Sequence, residues 1–329
     1  MSQPNAQLCP NLIARISSDL GPKGFSYWIN HGGSQISKSH TECHETRCYA
    51  NDDGGGPALI RHLGNSCSCQ YIGPELSEII SIIDANMIPV IAVEGSEGDS
   101  CIIVKAYTPE LAFTAISHAR SLGDCFRNPT ENKLPTCLVR RIQTIVANLS
   151  PCKDSSRQRK WFWIDTLCVP SQHLLDPRTR RTVMDSMKSI SQKATQTIVI
   201  DSDISLLTSK SSAMEVFIHI AYSSWSSRFW TLQEAVYANR LLFHFSDQII
   251  DLEDLIQKYR GGSPGCELPW SSHFAYKELR RYLDNVDGYQ VGSEAHCALL
   301  LRALEGRATS NKADEPIVIA NLLGTDSLE

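Results

Sequence analysis

The sequence predicts an α/β domain of the doubly wound type, with a mostly parallel sheet covered by helices on both faces. Three observations lead to that class. From Tyr107 onward, strand-like and helix-like segments alternate. The strand-like segments, such as FTAISHA (Phe113 to Ala119) and TQTIVID (Thr195 to Asp201), are apolar runs without the polar alternation of a half-exposed strand. The helix-like segments repeat apolar residues at three- and four-residue spacing.

The amino-terminal part is expected to hold a short helix around Leu12 to Leu20. PELSEIISIIDANMIPVIAV reads as a helix, carried by Ile79, Ile82 and Ile83, that breaks before Pro89 and continues as a strand. CIIVKAY (Cys101 to Tyr107) is a further apolar strand. CLVRRIQTIVANL places Leu138, Ile142, Ile145 and Leu149 on one helix face, and KWFWIDTLCV (Lys160 to Val169) is an apolar, aromatic strand. Arg178 to Ala194 is a helix with Val183, Met187, Ile190 and Ala194 inward. A helix over Ser211 to Tyr222, a second after SSWSS and a strand RLLFHFSD follow. LEDLIQKY and AYKELRRYLDNV are helical, and a last helix from Glu315 to Leu323 ends at Gly324 as its cap. Because the chain stops soon after that cap, it is expected to be a domain of a longer protein.

The totals narrow the function classes. At 329 residues the chain can bury a large core. A formal net charge of −5 gives no electrostatic case for nucleic acid or an anionic membrane. No apolar run reaches the length of a membrane span, and no secretion signal opens the chain. Twelve cysteines in that setting point to a reducing compartment, and so to a cytoplasmic protein with thiols or metal ligands rather than disulfides.

Six of the metal-type residues fall close together: His40, Cys43, Cys48, His62, Cys67 and Cys69. The Cys43–Cys48 spacing suits a zinc knuckle, whereas Cys67 and Cys69 are closer than the usual pair. Cys43, Cys48, His62, Cys67 and Cys69 are the candidate ligands of a structural zinc. The alternative is a set of ordinary thiols and histidines.

Ligands of open α/β sheets bind at the carboxyl ends of the strands. That rule selects His118 and Arg120 at the end of FTAIS, Asp165 and Thr166 toward the end of KWFWI, and Asp201 and Asp203 at the end of TQTIVI. The next helix carries Trp230, Glu234 and Tyr237 at i, i+4 and i+7, hence on one face, with Arg228 just upstream. A carboxylate on an aromatic face is paired, at the lip of a cleft, or used. Arg228 and Arg240 are its candidate structural partners. Cys168 and His118 form a weaker candidate nucleophile pair, since Cys168 sits in an apolar segment that favours an inert thiol. No G-x-G-x-x-G follows a strand and no Walker loop is present.

Five segments in one order, FTAISHARSLGD, WFWIDTLCVPSQ, SQKATQTIVID, SRFWTLQEAV and GRATSNKADEPIVIANLLG, resemble the fungal heterokaryon-incompatibility (HET) domain. The resemblance runs from about Cys43 to Gly324, with Arg120 standing where the family more often has an aromatic. It implies an amino-terminal extension over 1–100 holding the Cys/His cluster (40–69). A HET domain over 101–324 follows, made of a core at about 107–250 and a helical part at 251–324.

HET domains are associated with cell death on fusion of unlike fungal cells, and they have been likened to Toll/interleukin-1 receptor (TIR) domains, which are flavodoxin-like. The likeness implies a domain that hydrolyses NAD with Glu234 as the catalytic carboxylate, and that self-associates. Ser117, His118, Arg120, Asp165, Thr166, Arg228 and Trp230 would contact NAD or a related nucleotide. A fixed carboxylate stabilises the oxocarbenium-like ribosyl centre, an aromatic stacks on a base, and an arginine meets the pyrophosphate. The alternative from the same resemblance is a non-enzymatic module that self-assembles and recruits partners.

Overall fold

A computed structural model describes residues 9–31, 43–46, 62–64, 66–96, 98–119, 132–149, 159–170, 177–260, 274–286, 288–309 and 312–325. Among them, seven strands form one mixed sheet in the order β3-β2-β6-β4-β7-β8-β9. The strands are β2 (Pro89–Glu94), β3 (Cys101–Ala106), β4 (Phe113–His118), β6 (Trp161–Ile164), β7 (Gln196–Ile200), β8 (Leu241–His244) and β9 (Ile249–Asp251). A separate two-stranded ladder pairs β1 (Tyr71–Ile72) with β5 (Leu134–Pro135). The chain divides into two compact units, each discontinuous in sequence.

One unit comprises Pro57–Ile198 and Ala238–Leu241, and is called the β4 unit below. Its centre is the parallel pair β4–β6, in the register Phe113↔Trp161 to Ile116↔Ile164. Both strands are almost wholly buried, as their continuous apolar sequence requires. The next strands are an antiparallel part of the sheet. β2 runs antiparallel to β6, and β3 closes a hairpin on β2 with Pro89 opposite Ala106. β3 is an edge strand whose residues are half-buried or exposed, so its apolar CIIV run is not a buried central strand. The expected strand KWFWIDTLCV also stops early. It ends at Ile164, and Asp165–Cys168 form a single helical turn, α4.

The helices of this unit follow their apolar spacing. They are α2 (Leu76–Asp84), α3 (Thr136–Asn148) and α5 (Pro177–Lys193). Leu138, Ile142 and Ile145 of α3 are buried, and so are Val183, Met187 and Ile190 of α5.

The other unit comprises Met1–Gly56, Val199–Tyr237 and Leu242–Glu329, and is called the α7 unit. It begins with α1 (Pro10–His31), longer than the helix expected at Leu12–Leu20 because a second helical piece continues past a break at Gly21, which has φ 63°, and Pro22. α6 (Ala213–Ala221) is opened by a capping box, in which the Ser212 hydroxyl accepts the Glu215 N–H and the Glu215 carboxylate accepts the Ser212 N–H. α7 (Phe229–Tyr237), α8 (Leu252–Arg260), α9 (Tyr276–Leu283), α10 (Glu294–Leu304) and α11 (Glu315–Leu322) complete it. Trp225, fully buried and edge-on to Phe243 and Tyr276, is the aromatic centre of this core. No helix among the described residues is long and apolar enough to cross a membrane.

Candidate functional site

The β4 unit gathers one nitrogen and three sulfur donors. His62, Cys67, Cys69 and Cys137 each offer a ligand atom, and these atoms all lie within 4.8 Å of one another. The first three sit on irregular chain before β1, where the Cys67 N–H closes a turn on the Gly64 carbonyl at 3.0 Å. Cys137 arrives from the first turn of α3. The β1–β5 ladder brings the two parts together, with Tyr71 opposite Pro135 and Ile72 opposite Leu134. Thr136 reinforces the join, since both its N–H (2.9 Å) and its hydroxyl (2.8 Å) donate to the Gln70 carbonyl.

The resulting corner is tight. Cys69 Sγ lies 3.2 Å from His62 Nδ1, and Cys137 Sγ lies 3.8 Å from it. Two backbone N–H groups point at sulfur, Cys137 N to Cys69 Sγ and Leu63 N to Cys137 Sγ, both at 3.4 Å. Such donors orient and stabilise thiolates around a cation. A tetrahedral zinc with bonds of about 2.0–2.3 Å sets its ligands about 3.3–3.8 Å apart, close to the two separations from His62 Nδ1. Burial, with the neighbouring Cys69 and Cys67 thiols, pushes the Cys137 thiol up to about 11. A bound divalent cation reverses that preference outright. The cluster can therefore hold a metal ion.

Of the expected ligand set, His62, Cys67 and Cys69 are brought together. Cys43 is not one of the four; it is a buried thiol in the α7 unit. Cys48 and His40 lie outside the described residues. Cys137 escaped the sequence reading because it has no nearby Cys or His and reads as the start of an amphipathic helix.

The strand ends of the β4 unit form a second polar group. Because β4 and β6 are parallel and Ile116 pairs with Ile164, the next residues of each strand come side by side. His118 Nε2 lies 2.7 Å from Asp165 Oδ1. The Thr166 hydroxyl donates to Asp165 Oδ1 at 3.2 Å and lies 3.3 Å from His118 Nε2. The His118 side chain is 2 % exposed and that of Asp165 23 %, so the carboxylate faces outward and the imidazole is its buried partner. Ser117, which precedes His118 in β4, is buried. Arg120 lies outside the described residues. Cys168 is buried, and burial pushes its thiol up to about 12. Burial thus disfavours the thiolate that a Cys168–His118 nucleophile pair would require.

In the α7 unit, Asp201 is fully buried and structural. Its carboxylate accepts the N–H groups of Asp203 (2.9 Å), Ile204 (3.2 Å) and Trp225 (3.0 Å). It thus ties the end of β7 to the serine-rich loop before α7. The serines serve that loop, with Ser223 and Ser226 hydroxyls both donating to the Ile220 carbonyl at the end of α6.

Trp230 and Glu234 are half-buried on α7. Trp230 Nε1 donates to Asp314 Oδ2 at 3.3 Å, and the Tyr237 hydroxyl donates to the Asn321 carbonyl at 2.7 Å. Glu234 lies between them on the same face. Arg228 is half-buried ahead of the helix, bridged to Ala308. The expected rim is thus distributed over both units, with His118, Asp165 and Thr166 in one and Arg228, Trp230 and Glu234 in the other.

No family model, curated protein or solved structure matches the chain.

Proposed function

We propose that this chain is a cell-death effector domain of the heterokaryon-incompatibility type, with a flavodoxin- or TIR-like core, that hydrolyses NAD in the cytoplasm. The observation that carries the reading is Glu234, a half-buried carboxylate on α7, one turn after Trp230 and following a loop anchored on the end of a buried strand by Asp201. In the reaction, the bond from ribose C1′ to the nicotinamide nitrogen breaks and its electron pair neutralises the pyridinium. Glu234 stabilises the positive charge that develops at C1′. Water then adds to C1′ and loses its proton, leaving nicotinamide and ADP-ribose.

The Cys/His corner supports zinc as the bound metal. Three thiolates and an imidazole form a closed, soft donor set with no position left for substrate. Its role is to hold the segment before β1 against α3, so it stabilises the fold and takes no part in the reaction.

Turnover of NAD by the purified protein, measured at high concentration beside Glu234→Gln, tests the reading. Nicotinamide release by the wild type and its loss in a folded variant are expected. Equal release by both would remove Glu234 from the chemistry.

One observation favours a second reading, the self-assembling module without catalysis. Trp230 and Tyr237, on either side of Glu234, are engaged by Asp314 and Asn321. On that reading neither protein releases nicotinamide, light scattering shows oligomers for both, and Glu234→Gln retains cell-death activity.

A further inference from the structure

The α7 unit contains two arginines gathered around one glycine. Arg307 follows Gly306 at the end of α10, and its acceptors among the described residues are neutral. Its Nε donates to the Ala303 carbonyl (2.9 Å). Nη1 donates to the Arg228 carbonyl (2.9 Å) and the Thr231 hydroxyl (3.1 Å), and Nη2 to the Tyr276 hydroxyl (3.4 Å). Arg15, from α1, lies against Gly306 itself. A Cβ on that glycine would sit 2.4 Å from Arg15 Cζ, and the residue has φ +72°. Arg15 Nη1 donates to the Gly306 carbonyl at 3.4 Å, and its guanidinium stands over the Tyr222 ring, 5.5 Å from the centroid.

Among the described residues, neither arginine has a carboxylate within ion-pair distance. Burial, together with the nearby Arg15 charge, holds the Arg307 pKa below the ordinary arginine value. A guanidinium does not shed its proton in response. Two fixed cations thus share one place, at a cost that partial burial raises.

Both line a cavity of about 160 Å³, together with Ser18, Ser226 and Arg302. Two carboxylates also reach it, Asp19 and Glu305. Asp19 is engaged by the Tyr222 hydroxyl, which donates to it at 2.8 Å. Three arginines therefore face two acids, one of them already bonded. The volume exceeds the share of several waters, at about 30 Å³ each. It falls short of the roughly 300 Å³ at which pockets for whole drug-sized ligands begin. It fits an oxyanion group, and guanidinium forks are matched to the oxygens of phosphate.

We infer that this cavity binds the phosphate group of a ligand, with Arg15 as its fork, Ser18 as a hydroxyl donor, and Arg307 and Arg302 adding positive charge. The inference is independent of the assignment of Glu234. Gly306 is part of the site, because only a residue without Cβ lets Arg15 approach.

The test is calorimetric titration of the full chain with inorganic phosphate, pyrophosphate and AMP, at constant ionic strength set with chloride. Wild type and Arg15→Gln are compared, with Lys210→Gln as an exposed control and circular dichroism to confirm folding. Arg307→Gln is the second variant, informative where it folds. Wild-type binding of at least one of the three, weakened about tenfold or more in Arg15→Gln and unchanged in Lys210→Gln, is expected for loss of the fork. Tightest binding of inorganic phosphate or pyrophosphate identifies a free anion, and tightest binding of AMP a nucleotide phosphate; either supports the site. Absence of wild-type binding up to about 10 mM, well beyond the affinity of a built site, overturns the inference. So does binding that Arg15→Gln leaves intact.

Discussion

The molecule gathers like with like in two places, and the two differ in how the gathering is relieved. At the Cys/His corner, four electron-pair donors converge from the segment before β1 and from α3. At the arginine cavity, Arg15 and Arg307 converge around Gly306. The donors at the corner can stay neutral, and Cys137 does so through a thiol pushed up to about 11. The guanidiniums have no neutral form within reach. Arg307 is instead surrounded by carbonyl and hydroxyl acceptors. A cluster of titratable groups answers crowding with protons, whereas a cluster of permanent charges answers it with hydrogen bonds and counter-ions. The first should be governed by metal, and the second by anions and ionic strength.

The largest effect should come from breaking the corner. Cys137→Ser is expected to abolish bound zinc, measured by elemental analysis, and to lower unfolding free energy by at least about 3 kcal/mol, a fraction of what a structural zinc supplies. Cys43→Ser should leave the zinc content unchanged. Equal loss in both would return Cys43 to the ligand set.

A smaller effect should come from the cavity. Gly306→Ala forces a Cβ into the space of the Arg15 guanidinium at a left-handed backbone angle. A loss of about 1–2 kcal/mol by urea denaturation is expected, for the strained φ and the displaced arginine. Zinc content should not move. A variant as stable as wild type would show that Arg15 is held elsewhere.

The smallest effect concerns a titratable group inside the α7 unit. His296 is fully buried, stacked on Tyr282 with centroids 4.7 Å apart, and its Nδ1 accepts the Gly292 N–H at 3.0 Å. Burial holds its pKa below the ordinary histidine value. The unfolded chain therefore takes up this proton more readily than the folded one. The stability due to the neutral ring is complete above about pH 6.5, and is lost as pH falls from there through the lower folded value. Thermal midpoints measured from about pH 7.5 to about pH 5 should fall more steeply for wild type than for His296→Phe. Parallel curves would show that another group carries the dependence.

Legibility in the sequence followed the range over which each feature is encoded. α2, α3, α5, α6 and α7 were readable because apolar spacing and caps act within a few residues, as at the Ser212–Glu215 capping box. His62, Cys67 and Cys69 were readable because they are close in sequence. The antiparallel β2–β3 hairpin was less so, since an apolar edge strand and an apolar central strand look alike in one dimension. Asp165 and Asp201 both follow apolar segments and were read alike. One meets a histidine and faces outward, and the other is buried under three backbone N–H groups.

The sequence by itself determined the alternation of helices and strands, the buried centre at β4 and β6, and the concentration of metal-type donors before β1. These depend on local periodicity and composition. Only the tertiary structure decided that the fourth donor is Cys137, 68 residues beyond Cys69, and that Arg15 meets Gly306 across 291 residues. Both contacts follow from strand pairing and helix packing. Those bring distant segments together to bury apolar surface, and no spacing along the chain records where the polar side chains they carry will then meet.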